Sequence, residues 1–413
     1  MDIQPIISAL RRHKAGTILI VLQIALTLAI VCNALSIIRT NMERMARPTG
    51  IVEENLLAVM NTWVGSTDGN VLAPLIRTDL ETLRSLPGVQ DATVMNSFPL
   101  RGGGWSTGVR LDNSKEHWLF EAGMYASDDH ALATLGVHLV AGRNFRPEEI
   151  VDGSDFNTLV MPPVAIVTKA MADRLFPDGS ALGKTVYLNT GRNAPPTIII
   201  GIIDRLHGPW SAAFADTWAE DVAIVPARLT NRYGDYLIRT RFDMLDRMVR
   251  EAPAALVKAH RERVFPPHGG VRTFDQVRQD AYRTDRGMAV IMGVVSVALL
   301  LITGAGIVGL TSFWVGQRRA QIGVRRALGA TRRDILLYFL TENFLITLAG
   351  VAIGIALCGV LNIWMAVNFE VSHVPLAYIG AGIVLLLALG QAATLNPAMR
   401  ATRVSPVEAT RPA

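Results

Sequence analysis

The chain has 413 residues, of which 35 are acidic and 40 are basic, so only 18% are charged. Soluble proteins typically carry about 25%. The shortage lies in four stretches without Asp, Glu, Lys or Arg: residues 15–38, 287–317, 343–369 and 371–399. This pattern excludes a single soluble globular domain and a disordered chain, and it indicates an integral membrane protein with a large water-soluble part.

The first predicted element is a membrane span over residues 17–38, preceded by a cytoplasmic or interfacial helix over 1–16. About 20 apolar residues cross a bilayer as a helix, because lipid offers the backbone no hydrogen-bond partners. A cleaved signal peptide is the alternative, but its apolar core is shorter, about 7–15 residues, and no small-residue cleavage site follows this run. Lipoprotein attachment at Cys32 is disfavoured because Val31 precedes it. We interpret the segment as an anchor.

Residues 39–286 are too many for a loop and predict a separate α+β domain. Hydrophobic spacing and turn residues indicate two β-α-β units. The first has a strand at 56–63, a helix at 72–86 and a strand at 89–95, and the second has a strand at 235–241, a helix at 244–257 and an extended segment at 270–274. We therefore predict a small core, from residues 39–100 and 231–286, split by a β-rich insertion over 101–230.

Three more spans are predicted, over 288–315, 335–367 (including a cytoplasmic lead-in) and 376–395. A short connection over 368–375 and a tail over 396–413 complete the chain. A soluble protein with buried core helices is the alternative, but such helices need only about 10–14 apolar residues. The fold class is thus four transmembrane α-helices plus a large α+β extracytoplasmic domain.

Three glycines of the second span, Gly304, Gly306 and Gly309, match the GxGxxG dinucleotide motif. That motif needs a strand that turns into a helix, and this run shows no turn signal. Small residues let membrane helices approach closely, so we predict a packing role for these glycines and for Gly350 and Gly354 in the third span. The two cysteines, Cys32 and Cys358, also lie within spans, where packing is the expected role.

Other motifs argue against catalysis by this chain. Residues 179–185 resemble a Walker A loop but are one residue short, because Asp178 stands where the first glycine belongs. The eight histidines show no metal-ligand spacing, and no catalytic triad is evident. We predict no bound cofactor, no metal site and no catalytic residue.

Orientation follows from the basic residues outside the long segment. They cluster before the first span, between the second and third spans, and in the tail, which places all three clusters on one side of the membrane. The positive-inside rule then predicts cytoplasmic termini and an outer domain over 39–286. The basic pI of about 9.4 is accordingly a topology signal rather than a sign of nucleic-acid binding.

The segment 317–334 between the second and third spans predicts a short cationic helix, a tight corner and the start of a membrane helix. Gly329 suits the C′ position of a helix end, and Thr331 with Asp334 forms a capping-box pattern. Arginine pairs recur every seven residues, which predicts that they lie near one helical face. We predict that the segment docks a partner, although the arginines also suit anionic lipid and topology alone. The residues in this prediction are Arg318, Arg319, Ile322, Arg325, Arg326, Leu328, Gly329, Thr331, Arg332, Arg333 and Asp334.

Residues 321–335 closely resemble the signature loop of FtsX-like ABC transporter permeases of the MacB type, reading QIGVRRALGATRRDI. The tail over 396–409, NPAMRATRVSPVEA, is similar to the C-terminal motif of that family. In the outer domain, ATLGVHLVAGRNF at 133–145 resembles the periplasmic core segment. Weaker matches elsewhere extend the resemblance over nearly the whole chain.

The resemblance implies a permease subunit of the inner membrane that works as a dimer, with a second copy or a paralogue. It implies that ATP and Mg²⁺ are used by an ATPase, and that segment 317–334 sits on the nucleotide-binding domain of that ATPase. Because only 14 residues precede the first uncharged run, a separate ATPase chain is expected. The split outer domain would correspond to a Porter part around a Sabre part.

The leading functional hypothesis is an ATP-driven export permease acting on periplasmic cargo, with an adaptor and an outer-membrane channel as further partners. Signalling across the envelope, to a cell-wall hydrolase or from a sensed peptide, is the alternative. A membrane-tethered enzyme leaves three spans unexplained. Glu342 is the charged exception near the start of the third span, where it either pairs with an arginine or forms an intramembrane polar site.

Overall fold

In the computed structural model, the chain is described over residues 14–65, 68–113, 117–153, 161–188, 194–267, 269–369 and 375–403. It divides into two compact units, which we call the membrane unit (residues 1–45 and 284–413) and the outer unit (residues 46–283). Most of the helix predicted over 1–16, most of the connection over 368–375 and the end of the tail over 396–413 lie outside the described residues.

Within these residues the helices are α1 (Lys14–Ala46), α2 (Gly69–Ser85), α3 (Ala131–Leu135), α4 (Lys169–Leu175), α5 (Leu245–Ala259), α6 (Phe274–Ala281), α7 (Arg283–Gln317), α8 (Arg319–Ala327), α9 (Arg332–Phe369) and α10 (Leu376–Ala401). The strands are β1 (Leu56–Trp63), β2 (Val89–Met95), β3 (Trp105–Arg110), β4 (Phe120–Ser127), β5 (Leu139–Gly142), β6 (Val151–Gly153), β7 (Val164–Thr168), β8 (Thr185–Leu188), β9 (Thr197–Ile203), β10 (Val222–Leu229), β11 (Tyr233–Thr240), β12 (Arg263–Val264) and β13 (Val271–Thr273).

The membrane unit is built on α1, α7, α9 and α10, which are the described helices long and apolar enough to cross a membrane. Each contains one of the predicted spans. With 33 residues, α1 is about 50 Å long, so it extends well beyond a bilayer core of about 30 Å. In the most apolar 18-residue segment of α1, 56% of the residues are buried. The corresponding value is 17% for α7 and for α10, so α1 lies at the centre of the bundle.

Glycines of α9 allow the close approach of α1. A Cβ on Gly350 would stand 2.8 Å from the Cβ of Ile24, and a Cβ on Gly354 would stand 3.0 Å from the carbonyl oxygen of Ala25. Real Cβ atoms rarely come this close to other atoms, so the two helices are in near contact at these positions. This is the arrangement by which small residues pack membrane helices.

The three glycines of α7 differ from one another. A Cβ on Gly306 would stand 2.8 Å from Oε1 of Gln23 in α1, and a Cβ on Gly304 would lie at ordinary contact distance, 3.5 Å, from Leu389 in α10. No atom of the described chain lies within 4 Å of a Cβ on Gly309. The packing role predicted for Gly309 is therefore not seen within the described part of this chain.

Polar side chains also join the membrane helices. The hydroxyls of Thr27 and Thr303 are buried and lie 2.8 Å apart, linking α1 to α7. The Asn33 amide donates to the Cys358 sulfur at 3.5 Å, linking α1 to α9. Both Cys358 and Cys32 are buried free thiols, in keeping with the expected packing role.

One half of the outer unit has the two interleaved β-α-β units of a ferredoxin-like fold. The sheet order is β13-β1-β11-β2, so β11 lies between β1 and β2, and β1 lies between β13 and β11. Helices α2 and α5 pack on this sheet through one core that includes Leu57, Ile76, Leu80, Ile238 and Leu256. Both units were predicted from the sequence, whereas their interleaving was not, because strand order depends on pairings distant in the chain.

The insertion between β2 and β11 is a closed ring of six strands. Strand β4 pairs with β3, then β8, β9, β7 and β10 follow in order, and β10 returns to pair with β4 in parallel. The ring encloses its own core, which includes Val109, Met124, Val167, Ile199 and Val225. Closure removes the free edges that an open sheet of this size would expose.

Non-covalent contacts, in addition to the covalent chain connections, hold the two halves of the outer unit together. One backbone pairing, Met95 with Ser127, makes the sheet continuous from β2 to β4. Arg84 of α2 donates to the buried Asp128 beside β4 at 2.9 Å. These contacts cross the boundary predicted between residues 100 and 101, so the insertion is anchored to the core rather than loosely attached.

A charged group lies at the centre of the ferredoxin-like half. Asp79 of α2 accepts two hydrogen bonds from Arg263, at 2.7 and 2.9 Å, and one from the Tyr236 hydroxyl at 2.6 Å. The side chains of Asp79 and Arg263 are both fully buried. The Arg263 guanidinium also lies over the Trp63 ring, 4.4 Å from its centroid. A pair buried this completely depends on both partners.

Candidate functional site

The candidate site is the arginine corner, which we define as residues 318–334: helix α8, the turn after it and the first turn of α9. Helix α8 ends because Gly329 adopts φ +98°, a left-handed conformation that suits glycine. The N–H of Gly329 donates to the carbonyl oxygen of Arg326 at 3.2 Å, and the N–H of Ala330 donates to the carbonyl oxygen of Arg325 at 3.0 Å. These two bonds form a Schellman motif, which confirms the predicted helix end.

Helix α9 starts with the predicted capping box. The backbone N–H of Asp334 donates to the Thr331 hydroxyl at 3.2 Å, and the N–H of Thr331 donates to the Asp334 carboxylate at 2.9 Å. Two backbone donors that the helix itself leaves unpaired are thereby satisfied. The corner is thus a defined helix-turn-helix with both ends capped, rather than a flexible loop.

The six arginines do not share one helical face, so that part of the prediction is wrong. Helix α8 ends at Ala327, and Arg332 and Arg333 belong to the first turn of α9. A seven-residue interval places side chains on one face only while a single helix continues. Gly329 interrupts the helix before the third pair. By exposure, the arginines form two groups, four that are exposed and two that are inward-facing.

The first inward-facing arginine is Arg318, which pairs with Glu342. One guanidinium nitrogen lies 3.0 and 2.9 Å from the two carboxylate oxygens, with the side chains only 10% and 3% exposed. The pairing that the sequence suggested for Glu342 is therefore present. It joins the start of α8 to α9, where Glu342 is the one charged residue of the sequence between Ile335 and Phe369.

The second is Arg326, which is half-buried and donates to the carbonyl oxygen of Thr402 at 3.2 Å. Thr402 follows the end of α10, so α8 is also fastened to the fourth span. Ile322 adds an apolar contact, in a cluster with Ile335, Phe339 and Ala398. Sequence reasoning missed Thr402 because a backbone acceptor leaves no signature in the side-chain pattern.

The exposed group consists of Arg319, Arg325, Arg332 and Arg333. Arg325 lies over the Tyr338 ring, 5.0 Å from its centroid, which holds its charge at the surface in a fixed place. Leu328 stands beside this group and is 82% exposed. A large apolar side chain surrounded by exposed arginines is typical of a docking surface.

A cleft of about 520 Å³ lies between α8 and α9. Its walls include Ile322, Ile335, Leu337, Tyr338 and Phe339, and polar side chains stand at its edge. Tyr338 is a further residue that sequence reasoning missed. The available signal was its position four residues before Glu342, which places both on one face of α9.

We call the part of the outer unit where the chain enters after Ala46 and leaves before Arg283 its base. It holds a second group of charged residues, which the sequence did not single out. Arg278 of α6 donates to both carboxylate oxygens of Glu53, at 2.6 and 2.9 Å, and to the carbonyl oxygen of Arg47 at 3.4 Å. Burial alone would raise the pKa of Glu53, but hydrogen bonds from Arg278 and Thr49 outweigh it and hold the pKa below its usual range. We call Arg47, Glu53 and Arg278 the base clamp.

Neither a phosphate loop nor a metal cluster is found in the described residues. In the segment 179–185, the N–H of Gly183 donates to the carbonyl of Ile199, and the Lys184 ammonium lies 4.6 Å from the centroid of the Phe176 ring. These groups are therefore used within the fold. No set of three or more His, Cys, Asp or Glu side chains among the described residues is arranged to hold a metal ion.

Comparison with protein families agrees with this arrangement. The MacB-like periplasmic core domain matches residues 17–263, more than half of the chain, and the FtsX-like permease C-terminal domain matches residues 293–406. The chain therefore belongs to the family of ABC transporter permeases that combine a MacB-like periplasmic core domain with an FtsX-like permease region.

Two relatives illustrate the range of this family. The macrolide export ATP-binding/permease protein MacB of Neisseria gonorrhoeae is 22% identical over 414 residues, which cover 98% of this chain and 59% of that protein. This chain thus spans little more than half the length of that relative. The ABC transporter permease YvrN of Bacillus subtilis is 25% identical over 70% of this chain and 69% of its own length.

Solved structures give weaker similarities. The periplasmic region of MacB from Actinobacillus actinomycetemcomitans is 17% identical, with a TM-score of 0.35, covering 58% of this chain and 97% of that one. The extracellular domain of YknZ is 16% identical, with a TM-score of 0.32, covering 50% and 95%.

Proposed function

We propose that this chain is the membrane subunit of an ABC transporter that works by mechanotransmission. A separate ATPase subunit hydrolyses ATP with Mg²⁺, and this chain carries the resulting motion to its outer unit, which performs work on cargo outside the membrane. The observation that carries the proposal is the arginine corner, where one short helix bears exposed arginines on one side and is fastened to two membrane helices on the other.

The proposal places the arginine corner and both termini in the cytoplasm of a bacterial inner membrane, with the outer unit in the periplasm. The support is the distribution of basic residues. The corner carries six arginines, whereas the described side chains at the opposite end of α9 and at the start of α10 include no basic residue. An ATPase that uses cytoplasmic ATP then meets the corner directly.

Docking is assigned to the exposed group of the corner. Leu328 supplies the apolar anchor, and Arg319 and Arg325 supply the charge that selects an acidic or amide-rich groove on the ATPase. Exposed charges of this kind steer association and fix its register, while the buried apolar side chain supplies much of the affinity.

Transmission is assigned to the inward-facing arginines. When the ATPase moves α8, the bonds of Arg318 to Glu342 and of Arg326 to Thr402 require α9 and α10 to follow. The ends of α1 and α7 continue into the outer unit, where the base clamp ties the segment after α1 to helix α6. Rigid helices joined at both ends by specific contacts are suited to carry such a motion.

Export is the preferred use of this motion, because relatives that align with nearly the whole chain are described as macrolide exporters. The complete machine in this proposal contains two permease subunits, identical or paralogous, together with a periplasmic adaptor and an outer-membrane channel. In the signalling alternative, the same motion acts on a cell-wall hydrolase. Genes for an adaptor or a hydrolase beside this one distinguish the two.

The direct test reverses charge at the corner. In a complex purified with its ATPase and reconstituted in lipid, the double variant R325E/R326E is expected to lose about tenfold or more of the ATP hydrolysis rate, because docking and the bond to Thr402 are both lost. The variant L328E isolates docking, since this side chain is 82% exposed and its replacement leaves the corner intact. Hydrolysis rate and copurification of the ATPase are the measurements.

The matched control is R400E, which reverses an exposed arginine near the end of α10, outside the arginine corner. It is expected to hydrolyse ATP at the unmodified rate. If R325E/R326E and L328E both retain the ATPase and its full activity while inserting normally, the corner does not dock an ATPase, and its arginines serve topology and lipid alone.

A further inference from the structure

The loop between β9 and β10 carries an apolar surface that the proposed function does not use. Residues 206–215 contain no Asp, Glu, Lys or Arg. Three aromatic rings of the loop pack together: Trp210 lies 5.3 Å from Trp218 and 6.0 Å from Phe214, measured between ring centroids. Trp218 is buried, Trp210 is half-buried, and Phe214 is 57% exposed.

This loop is fixed to the two places where the outer unit continues into membrane helices. The Asp216 carboxylate pairs with Arg47 at 3.2 Å, and Arg47 directly follows the last residue of α1. The Ser211 hydroxyl donates to the carbonyl oxygen of Ala281 at 3.2 Å, two residues before α7 begins. The aromatic loop is therefore bonded, within the outer unit, to both segments through which the chain continues into membrane helices.

The length of α1 beyond its uncharged run limits how far Arg47 lies from the lipid along the chain. The uncharged run of α1 ends at Ile38, and the eight residues from there to Ala46 rise about 12 Å in a helix. The headgroup layer is about 5–8 Å thick on each side of the bilayer. The chain that leads from the lipid to Arg47, the partner of Asp216, thus exceeds the thickness of the headgroup layer by only about one helical turn.

We propose that Trp210 and Phe214 form a membrane-surface contact, seated among the phospholipid headgroups on the outer side of the bilayer that α1 and α7 cross. Aromatic side chains are favoured at this depth, because the ring is apolar while its edge tolerates polar neighbours. Because residues 206–215 carry no charged side chain, their insertion among the headgroups requires no charged group to be removed from water. The contact gives the outer unit a footing on the membrane besides its two covalent connections.

The test places a fluorescent probe at the loop and a matched one far from it. A single cysteine, F214C, is labelled with an environment-sensitive fluorophore in the full-length chain, reconstituted in phosphatidylcholine nanodiscs. The control is Y233C, because Tyr233 is similarly exposed, at 62%, and pairs with Thr62 at the end of β1 farthest from the base. The unmodified chain, labelled in parallel, reports any reaction of the buried Cys32 and Cys358.

Two quenchers then read the environment of each probe. Phosphatidylcholine with a nitroxide near the headgroup is expected to quench the probe at 214 about threefold or more above the probe at 233, and aqueous iodide is expected to show the reverse order. Equal iodide quenching at both positions without lipid quenching overturns the proposal, because the loop is then in water. Protection of 214 from both quenchers also overturns it, because a protein surface, such as a second copy, then covers the loop. The ATPase plays no part in this measurement, so either outcome leaves the proposed transport function unaffected.

Discussion

Replacement of Glu342 by leucine is expected to lower the free energy of unfolding of the membrane unit by about 3–5 kcal/mol. The cause is the Arg318 guanidinium, whose side chain is 10% exposed and which donates to both oxygens of this carboxylate. Without Glu342 a positive charge is left buried without a partner. The loss is measured by thermal unfolding of the full-length chain in lipid nanodiscs, with proteolysis of the corner as the signal that reports unfolding.

The double variant R318M/E342L separates charge pairing from mechanical coupling. Because it replaces a buried ion pair by apolar side chains of similar volume, it is expected to recover most of the stability lost by E342L. Its ATP hydrolysis in the complex is expected to stay low, since the directional bond between α8 and α9 is gone. If the double variant hydrolyses ATP and moves cargo at the unmodified rate, the pair is structural only.

Replacement of Asp79 by alanine is expected to destabilise the outer unit by a similar amount, about 3–5 kcal/mol. This change leaves the fully buried Arg263 without its carboxylate and removes the acceptor of the Tyr236 hydroxyl. The change is measured by urea unfolding of the full-length chain in nanodiscs, monitored by tryptophan fluorescence. This signal is suitable because Trp63 lies directly against Arg263.

The matched control for D79A is D173A. Asp173 pairs with Lys169 one helical turn away on α4, but its side chain is 65% exposed, and such surface pairs contribute only about 0–1 kcal/mol. The control is expected to unfold at nearly the unmodified urea concentration. Equal effects of D79A and D173A would show that burial of the Asp79–Arg263 pair does not matter to the fold.

The spans and the corner were predictable because local rules determine them. A lipid-crossing helix needs a long uncharged run, and the helix end at Gly329 and the capping box at Thr331 are set by residues within four positions of each other. The two β-α-β units were predictable for the same reason. Each of these features is determined by residues that are close together in the sequence.

Features that depend on distant residues were not predictable. Closure of the six-stranded ring requires β10 to pair with β4, about 100 residues earlier in the chain. Arg318 and Arg319 are neighbours of the same type with opposite roles: Arg318, the N-cap of α8, is buried, whereas Arg319, the first residue of the helix, is exposed. Only the position of Glu342, one helix further along the chain, decides which of them turns inward.

The central claim is that ATP used at the arginine corner moves the outer unit. Hydrogen–deuterium exchange of the reconstituted complex tests it directly, with and without ATP and Mg²⁺. We expect ATP to change exchange in the segments that carry the base clamp, 47–53 and 274–281, and we expect this change to disappear in R325E/R326E. Rapid ATP hydrolysis by the unmodified complex with unchanged exchange in both segments would contradict the account.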